Sequence, residues 1–236
     1  MTAFIDGTPI YLDHNATTQP DPAVLADMIP CLEGVYGNPS STHGFGQEAR
    51  RVVDLARQRV ASLIGALYHR QGQEPAPFLL GGSHERQQRA GTENVPGIAG
   101  FGKACVLAKD RLTESSERLR ALSSRLERGI VERIPGARIH GHPMDRLPNT
   151  VSVGFAGING EHLAVSLDIL GIAVATTAAC SSSRKTPSHV LLAMGCTPEE
   201  ATAAIRISLG AENTEDQIDH TIAVLAETVR RLSKKG

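Results

Sequence analysis

The sequence predicts an α/β chain in which a compact α+β portion, residues 135–236, follows a mainly helical portion, residues 1–134. Two observations predict it. Apolar residues recur at helical spacing through 46–64 and 95–134. After residue 134 the pattern changes to short runs rich in Val and Ile: "ARIHG", "NTVSVGF", "GIAVAT" and "AIRISLG".

The elements follow in order. "PIYLDHNATT" opens with a short apolar segment that reads as a strand, then turns polar. "DPAVLADMIPCLEG" reads as a helix with Asp21 as N-cap, Pro22 at the first position and Gly34 past the end. "YGNPSSTHGFG" is a loop by composition. In "QEARRVVDLARQRVASLIGA" Ala49, Val52, Val53, Ala56, Val60, Leu63 and Ile64 share one helical face. Leu67 and Tyr68 end a possible strand, and the stretch to Gly91 is loop-like. A long helical region covers Val95 to Ile134, with a break expected near Ser115. In the last portion, helices are expected at 161–170 and 187–194, and capping boxes at Thr197–Glu200 and Thr214–Gln217 start two more.

Composition narrows the function classes. The 236 residues suffice for one large domain or two small ones. Net charge is -1, no basic run exists, aromatics are 3% and Trp is absent. Neither nucleic acid nor an anionic membrane is therefore a favoured partner. Cys31, Cys105, Cys180 and Cys196 are widely spaced with no CxxC pair, which speaks against a zinc ribbon. No HExxH or carboxylate-backed histidine cluster appears, so no metal site is assigned. The N-terminus lacks a signal-peptide pattern and no apolar run approaches a membrane span; a cytoplasmic protein with reduced thiols is the expectation.

Some stretches carry chemistry. Cys180 sits in "TTAACSSSRK", among small and polar residues, with Arg184 and Lys185 nearby to favour a thiolate. It is either a nucleophile or a small filler in a loop. Arg206 lies inside an apolar strand, where a charge is costly unless paired. It is either a fork for a carboxylate or half of a buried ion pair. "GNPSSTH" could line a polar site or be a solvated loop. "GGSHERQQRAGTEN" could hold an anion such as a phosphate, though it fits neither a Walker nor a Rossmann spacing.

Taken in order, "YLDHNATTQPDPAV", "YGNPSSTHGFGQEAR", "GGSHERQQRAGTENVPGIAGFG", "RLPNTVSVGF", "GIAVATTAACSSS", "PSHVLLAMG" and "AIRISLGAENTEDQID" resemble the cysteine desulfurases of the NifS/IscS type. Those are transferases that depend on pyridoxal phosphate (PLP) and have the aminotransferase class V fold. The resemblance implies that Cys180 is the catalytic cysteine, which takes sulfur from L-cysteine as a persulfide. It implies that Arg206 and Asn38 bind the substrate carboxylate. It implies that Thr92 reaches a PLP phosphate in the partner subunit of a homodimer. A sulfur-acceptor protein is the implied partner, in iron–sulfur cluster assembly, tRNA thiolation or DNA sulfur modification.

One part of the family pattern is missing. The Schiff-base lysine of the family stands in a Ser-x-His-Lys segment. Lys103, Lys109, Lys185, Lys234 and Lys235 are the lysines of this chain, and none lies in such a segment. "ASLIGA" resembles the end of an early family helix, and "GALYHRQG" the strand after the lysine loop. Both use Gly65 and Ala66, as if the central cofactor-binding layer were deleted there. Residues 1–134 then read as a truncated remnant of the PLP-binding large domain with its N-terminal segment and outer helices. Residues 135–236 read as the small α+β domain that carries the cysteine loop. Two functions stay open: a desulfurase whose own PLP catalysis is lost or dependent on another chain, and a non-enzymatic partner or regulator of a full-length desulfurase or a sulfur acceptor.

Overall fold

The computed structural model describes residues 8–64, 92–176 and 187–234, and within α2 (Gly44–Ile64) the side chains only through Val60. The chain divides into two units, one of residues 1–18 and 113–236, the other of 19–112. The expected division at 134/135 marks the end of a helix, whereas packing groups 113–134 and the N-terminal strand with the sheet.

The first unit is built on a four-stranded antiparallel sheet of order β2 (Ala137–His140), β3 (Thr150–Phe155), β6 (Ala204–Ser208), β5 (Ala175–Thr176). Period-2 alternation gives the sheet two unlike faces. Ile139, Val151, Val153, Phe155, Ile205 and Ile207 share one face and enter the core cluster. Against that face pack Leu122, Leu126 and Ile130 of α3 (Val95–Arg133), Leu163 and Leu167 of α4 (Gly160–Ile169), and Ile218 and Leu225 of α7 (Glu215–Ser233). The other face carries His140, Thr150, Ser152, Gly154, Arg206 and Ser208, which are polar or small. A sheet whose one face is buried by helices keeps its register because a one-residue slip would exchange these two sets.

The run "GIAVAT" forms two strands. β4 (Ile172–Ala173) pairs in parallel with β1 (Ile10–Tyr11), and β5 pairs antiparallel with β6. Val174 lies between them, so one apolar run serves two sheets. β1 is also tied to the main sheet by the bridge Asp13–Ser208 and by Asn213 Nδ2, which donates to the Tyr11 carbonyl at 3.1 Å. The anticipated capping boxes begin α7 at Thr214 and Gln217 and α6 (Pro198–Thr202) at Thr197 and Glu200.

The second unit holds α1 (Pro22–Glu33), α2 (Gly44–Ile64) and the start of α3 (Val95–Arg133). Asp21 Oδ1 accepts from the Ala23 N–H at 2.8 Å, as an N-cap should, and Pro22 opens the helix. Cys31, Ala49, Val53, Val95 and Ala99 form its small core. Leu63, Ile64, Leu67 and Tyr68 lie outside the described side chains.

The break expected near Ser115 does not occur: α3 is continuous for 39 residues. Ser115 and Ser116 lower helix propensity only by tenths of a kcal/mol each, and no Pro interrupts the ladder there.

Candidate functional site

The polar sheet face forms the site. Arg206 stands on β6 between Ser152 of β3 and Ala175 of β5, its cross-strand partners. Both are small, so the guanidinium has room above the sheet. Its Nη2 donates to Asp13 Oδ1 at 2.9 Å, and each side chain keeps about a fifth of its surface exposed (22% and 20%). Arg206 Nε is buried and has no hydrogen-bond partner among the described residues. The sequence left a carboxylate fork and an ion pair open for this arginine. The structure gives it a partner on one side and an unused donor on the other.

A cavity of about 300 Å³ opens beside Arg206. Arg146, Thr150 and Ser152 line it with His140, and Leu191 and Met194 give it an apolar side. Arg146 is itself held, by Glu127 Oε1 at 2.8 Å and by donating from Nη2 to the Thr150 carbonyl at 2.6 Å. Two fixed guanidinium groups above a strip of hydroxyls suit an anionic or carboxylate-bearing ligand. Among the described residues the cavity wall contains no lysine.

Cys180, Arg184 and Lys185 lie outside the described residues. The residues on either side of that stretch are described. Ala175 pairs with Arg206 directly, and Ser188 lines the same cavity. Ser188 is 2% exposed, with its Oγ accepting from the Leu191 N–H at the start of α5 (His189–Ala193).

Asn38 and Thr92 belong to the second unit. Asn38 is half-buried, and its Oδ1 accepts from the Ser40 N–H at 2.9 Å, closing an Asx turn in "GNPSS". Its amide NH₂ is the end suited to a carboxylate. Thr92 is exposed, just before α3.

The sequence reasoning missed Asp13, Arg146 and the pair His140–Cys196. Asp13 and Arg206 are 193 positions apart and meet where the chain just after β1 bridges to β6 at Asp13–Ser208. The signal for His140 was its place in "ARIHG", a charged-polar alternation in a strand whose polar side is the site. His140 Nδ1 lies 3.5 Å from Cys196 Sγ. Burial, with Arg138 beside it, holds its pKa below the ordinary histidine value.

The aminotransferase class-V family model matches residues 10–71 and 64–221, nearly the whole chain. The chain belongs to the aminotransferase class-V family. The match comes in two stretches that overlap over 64–71. A cysteine desulfurase IscS of Clostridium botulinum is 45% identical over 171 residues, covering 71% of this chain and 43% of the relative. A cysteine desulfurase IscS of Methanosarcina thermophila is 46% identical over 168 residues, covering 71% of this chain and 41% of the relative. The chain thus spans less than half the length of the curated relatives it matches, which are cysteine desulfurases of the IscS type. A solved NifS-like protein superposes with a TM-score of 0.85 at 23% identity, over 95% of this chain and 100% of the other, a likeness of fold.

Proposed function

We propose that this chain handles sulfur in the manner of a cysteine desulfurase: sulfur originating from L-cysteine is carried as a persulfide on Cys180, and the PLP chemistry that frees it is lost here or supplied by another chain. The observation that carries this reading is the buried Nε of Arg206, which has no partner among the described residues, beside an open cavity that Ser188 also lines, with Ala175 paired to Arg206 on β5. A buried donor without a partner costs roughly 1–3 kcal/mol, which a bound carboxylate would recover. The donor's carboxylate is held at Arg206 while the Cys180 thiolate attacks the outer sulfur of a persulfide R–S–SH. The S–S bond breaks, the thiolate R–S⁻ leaves, and Cys180–S–SH remains.

The described residues do not fit PLP. A cofactor of this kind takes a lysine and an acid on its ring nitrogen. Lys103 and Lys109 lie on α3 in the second unit, and Lys234 caps α7. Lys185 and Lys235 lie outside the described residues. No step is therefore assigned through the cofactor. The family match in two stretches that overlap over 64–71 supports a lost central segment joined near Gly65 and Ala66. Residues 1–134 are then what is left of the large domain, and 135–236 the small one.

The partners of this reading are a full-length desulfurase, a sulfur-acceptor protein and a second copy of the chain, in the cytoplasm. Leu25, Ile29 and Leu32 form an exposed stripe on α1 at i, i+4 and i+7, where a second copy would bury apolar surface. Asn38 would assist the carboxylate, and Thr92 would reach toward a phosphate held by another subunit.

The test is incubation with a full-length cysteine desulfurase and L-cysteine, followed by mass mapping of sulfane sulfur. Sulfur on Cys180, lost in Cys180→Ser, is the expected result; none on Cys180 overturns the reading. In parallel, PLP titration with borohydride trapping is expected to give no specific adduct. A saturable adduct at one lysine would overturn the dependence on another chain. The second reading, a non-enzymatic partner or regulator, draws on the chain's spanning less than half its relatives. It predicts a changed rate of the full-length enzyme on addition of the Cys180→Ser chain.

A further inference from the structure

Outside the Arg206 pair, one more set of reactive side chains meets on the polar sheet face. Cys196 precedes α6, with its N–H donating to the Leu191 carbonyl at 3.0 Å and its side chain half-buried against Leu191, Ala201 and Ala204. Its Sγ is 3.5 Å from His140 Nδ1. His140 is only 7% exposed, and its Nε2 is buried with no partner among the described residues. A Cβ built on Gly154 would lie 2.7 Å from that Nε2, so a Gly154 Cα–H bond points straight at it.

This arrangement fixes the tautomer. A hydrogen on Nε2 would face another hydrogen, with no acceptor among the described residues, at the cost of a buried unpaired donor. A lone pair there instead accepts a weak Cα–H contact. The single proton of the neutral ring therefore sits on Nδ1 and is donated to Cys196 Sγ. A sulfur that accepts a hydrogen bond from a buried imidazole is stabilised as negative charge develops on it. The neighbouring charges, Arg138 on β2 and Glu200 on α6, are paired with each other. His140 also lines the cavity that holds Arg146 and Arg206, whose cationic groups suit a carboxylate-bearing reagent.

We propose that Cys196 and His140 form a second thiol site, which undergoes exchange with small carboxylate-bearing disulfides. The Cys196 thiol gives its proton to water, and the thiolate attacks one sulfur of R–S–S–R. A new bond forms between Cys196 and that sulfur, the old S–S bond breaks, and R–S⁻ leaves and is protonated. The protein thiol is oxidised to a mixed disulfide and half of the reagent is reduced to R–SH. The inference stands apart from the persulfide on Cys180.

The test uses the full chain and glutathione disulfide, with mixed disulfides mapped to each cysteine by mass spectrometry. Rates are measured in the folded protein and in urea, each divided by that of a free-thiol peptide in the same solvent. A half-buried thiol without activation reacts more slowly when folded. Here the Cys196 rate is expected to be at least about tenfold higher in the folded protein than in the unfolded chain. Cys31 and Cys105, both buried, are expected to be slower when folded. His140→Asn is expected to bring Cys196 to or below its unfolded rate. A folded Cys196 rate at or below the unfolded one overturns the proposal, and that comparison needs no variant to fold. An unchanged rate in a folded His140→Asn protein overturns it equally.

Discussion

The pair Asp13–Arg206 is held in a setting neither dry nor fully wet, since each side chain keeps about a fifth of its surface. Replacing Asp13 by Asn removes the counter-charge and leaves a guanidinium whose Nε already has no partner among the described residues. The expected loss is about 1–3 kcal/mol, less than for a fully dry pair because water screens the exposed part. Urea unfolding of Asp13→Asn checks it, and an unchanged midpoint would show that the pair contributes nothing net. His140 gives a pH signature whose sign is fixed. Its pKa is depressed in the folded state by burial and then by Arg138, below the ordinary 6.5. The unfolded chain therefore binds the proton first. The contribution is complete above about pH 6.5 and is lost as pH falls through the folded-state value. His14 is shifted in the same direction by partial burial, so wild type alone would not isolate His140. The difference between wild type and His140→Asn should shrink as pH drops below 6.5, measured by urea midpoints across that window. Arg206 was legible as a problem in the sequence, because a charge inside "AIRISLG" demands a partner. The identity of that partner was not, because residue 13 reaches it only through strand pairing.

At the scale of elements, what the sequence conveyed well was whatever local chemistry decides. Asp21 and Pro22 start α1, and Thr214 with Gln217 starts α7, because caps and first-turn prolines act within a few residues. What it conveyed poorly was set by packing at a distance. "GIAVAT" reads as one strand, yet its halves pair with β1 and β6. The hydrophobic pattern predicts a break near Ser115, and α3 runs through it. The glycines of α3 are a related case. Gly102 looks like a weak point in a helix, since Gly costs about 1 kcal/mol relative to Ala. In the structure a Cβ there would sit 2.7 Å from Ala56 Cα on α2, a backbone atom that cannot swing away. Gly102→Ala should therefore destabilise the protein by about 1–3 kcal/mol in spite of its better propensity, because overpacking outweighs the gain. Thermal or urea unfolding decides between the two effects, and a stabilised variant would mean that α2 and α3 separate at little cost.

For the whole molecule, the two units differ in how much they bury. The first has a continuous core that includes Leu126, Ile130, Val153, Ile205, Ile207 and Leu225, all nearly inaccessible. The second has a core mostly of small side chains, Cys31, Ala49, Val53, Val95 and Ala99. Each large aliphatic side chain that is fully buried contributes about 1.5–3 kcal/mol, and Ala much less. Opening the second unit should therefore cost far less than opening the first. Amide exchange read by mass spectrometry is the measurement. Peptides from α1 and α2 should exchange through a low-energy opening, while those from β3, β6 and α7 should exchange only near global unfolding. α3 supplies an internal control, because it belongs to the second unit up to Leu112 and to the first from Thr113. Its protection should rise along the helix toward Arg133. If a second copy covers Leu25, Ile29 and Leu32, protection of α1 should also grow with protein concentration, whereas that of β3 and β6 should not. Equal protection in α1 and β6 at low concentration would mean that the two units unfold as one.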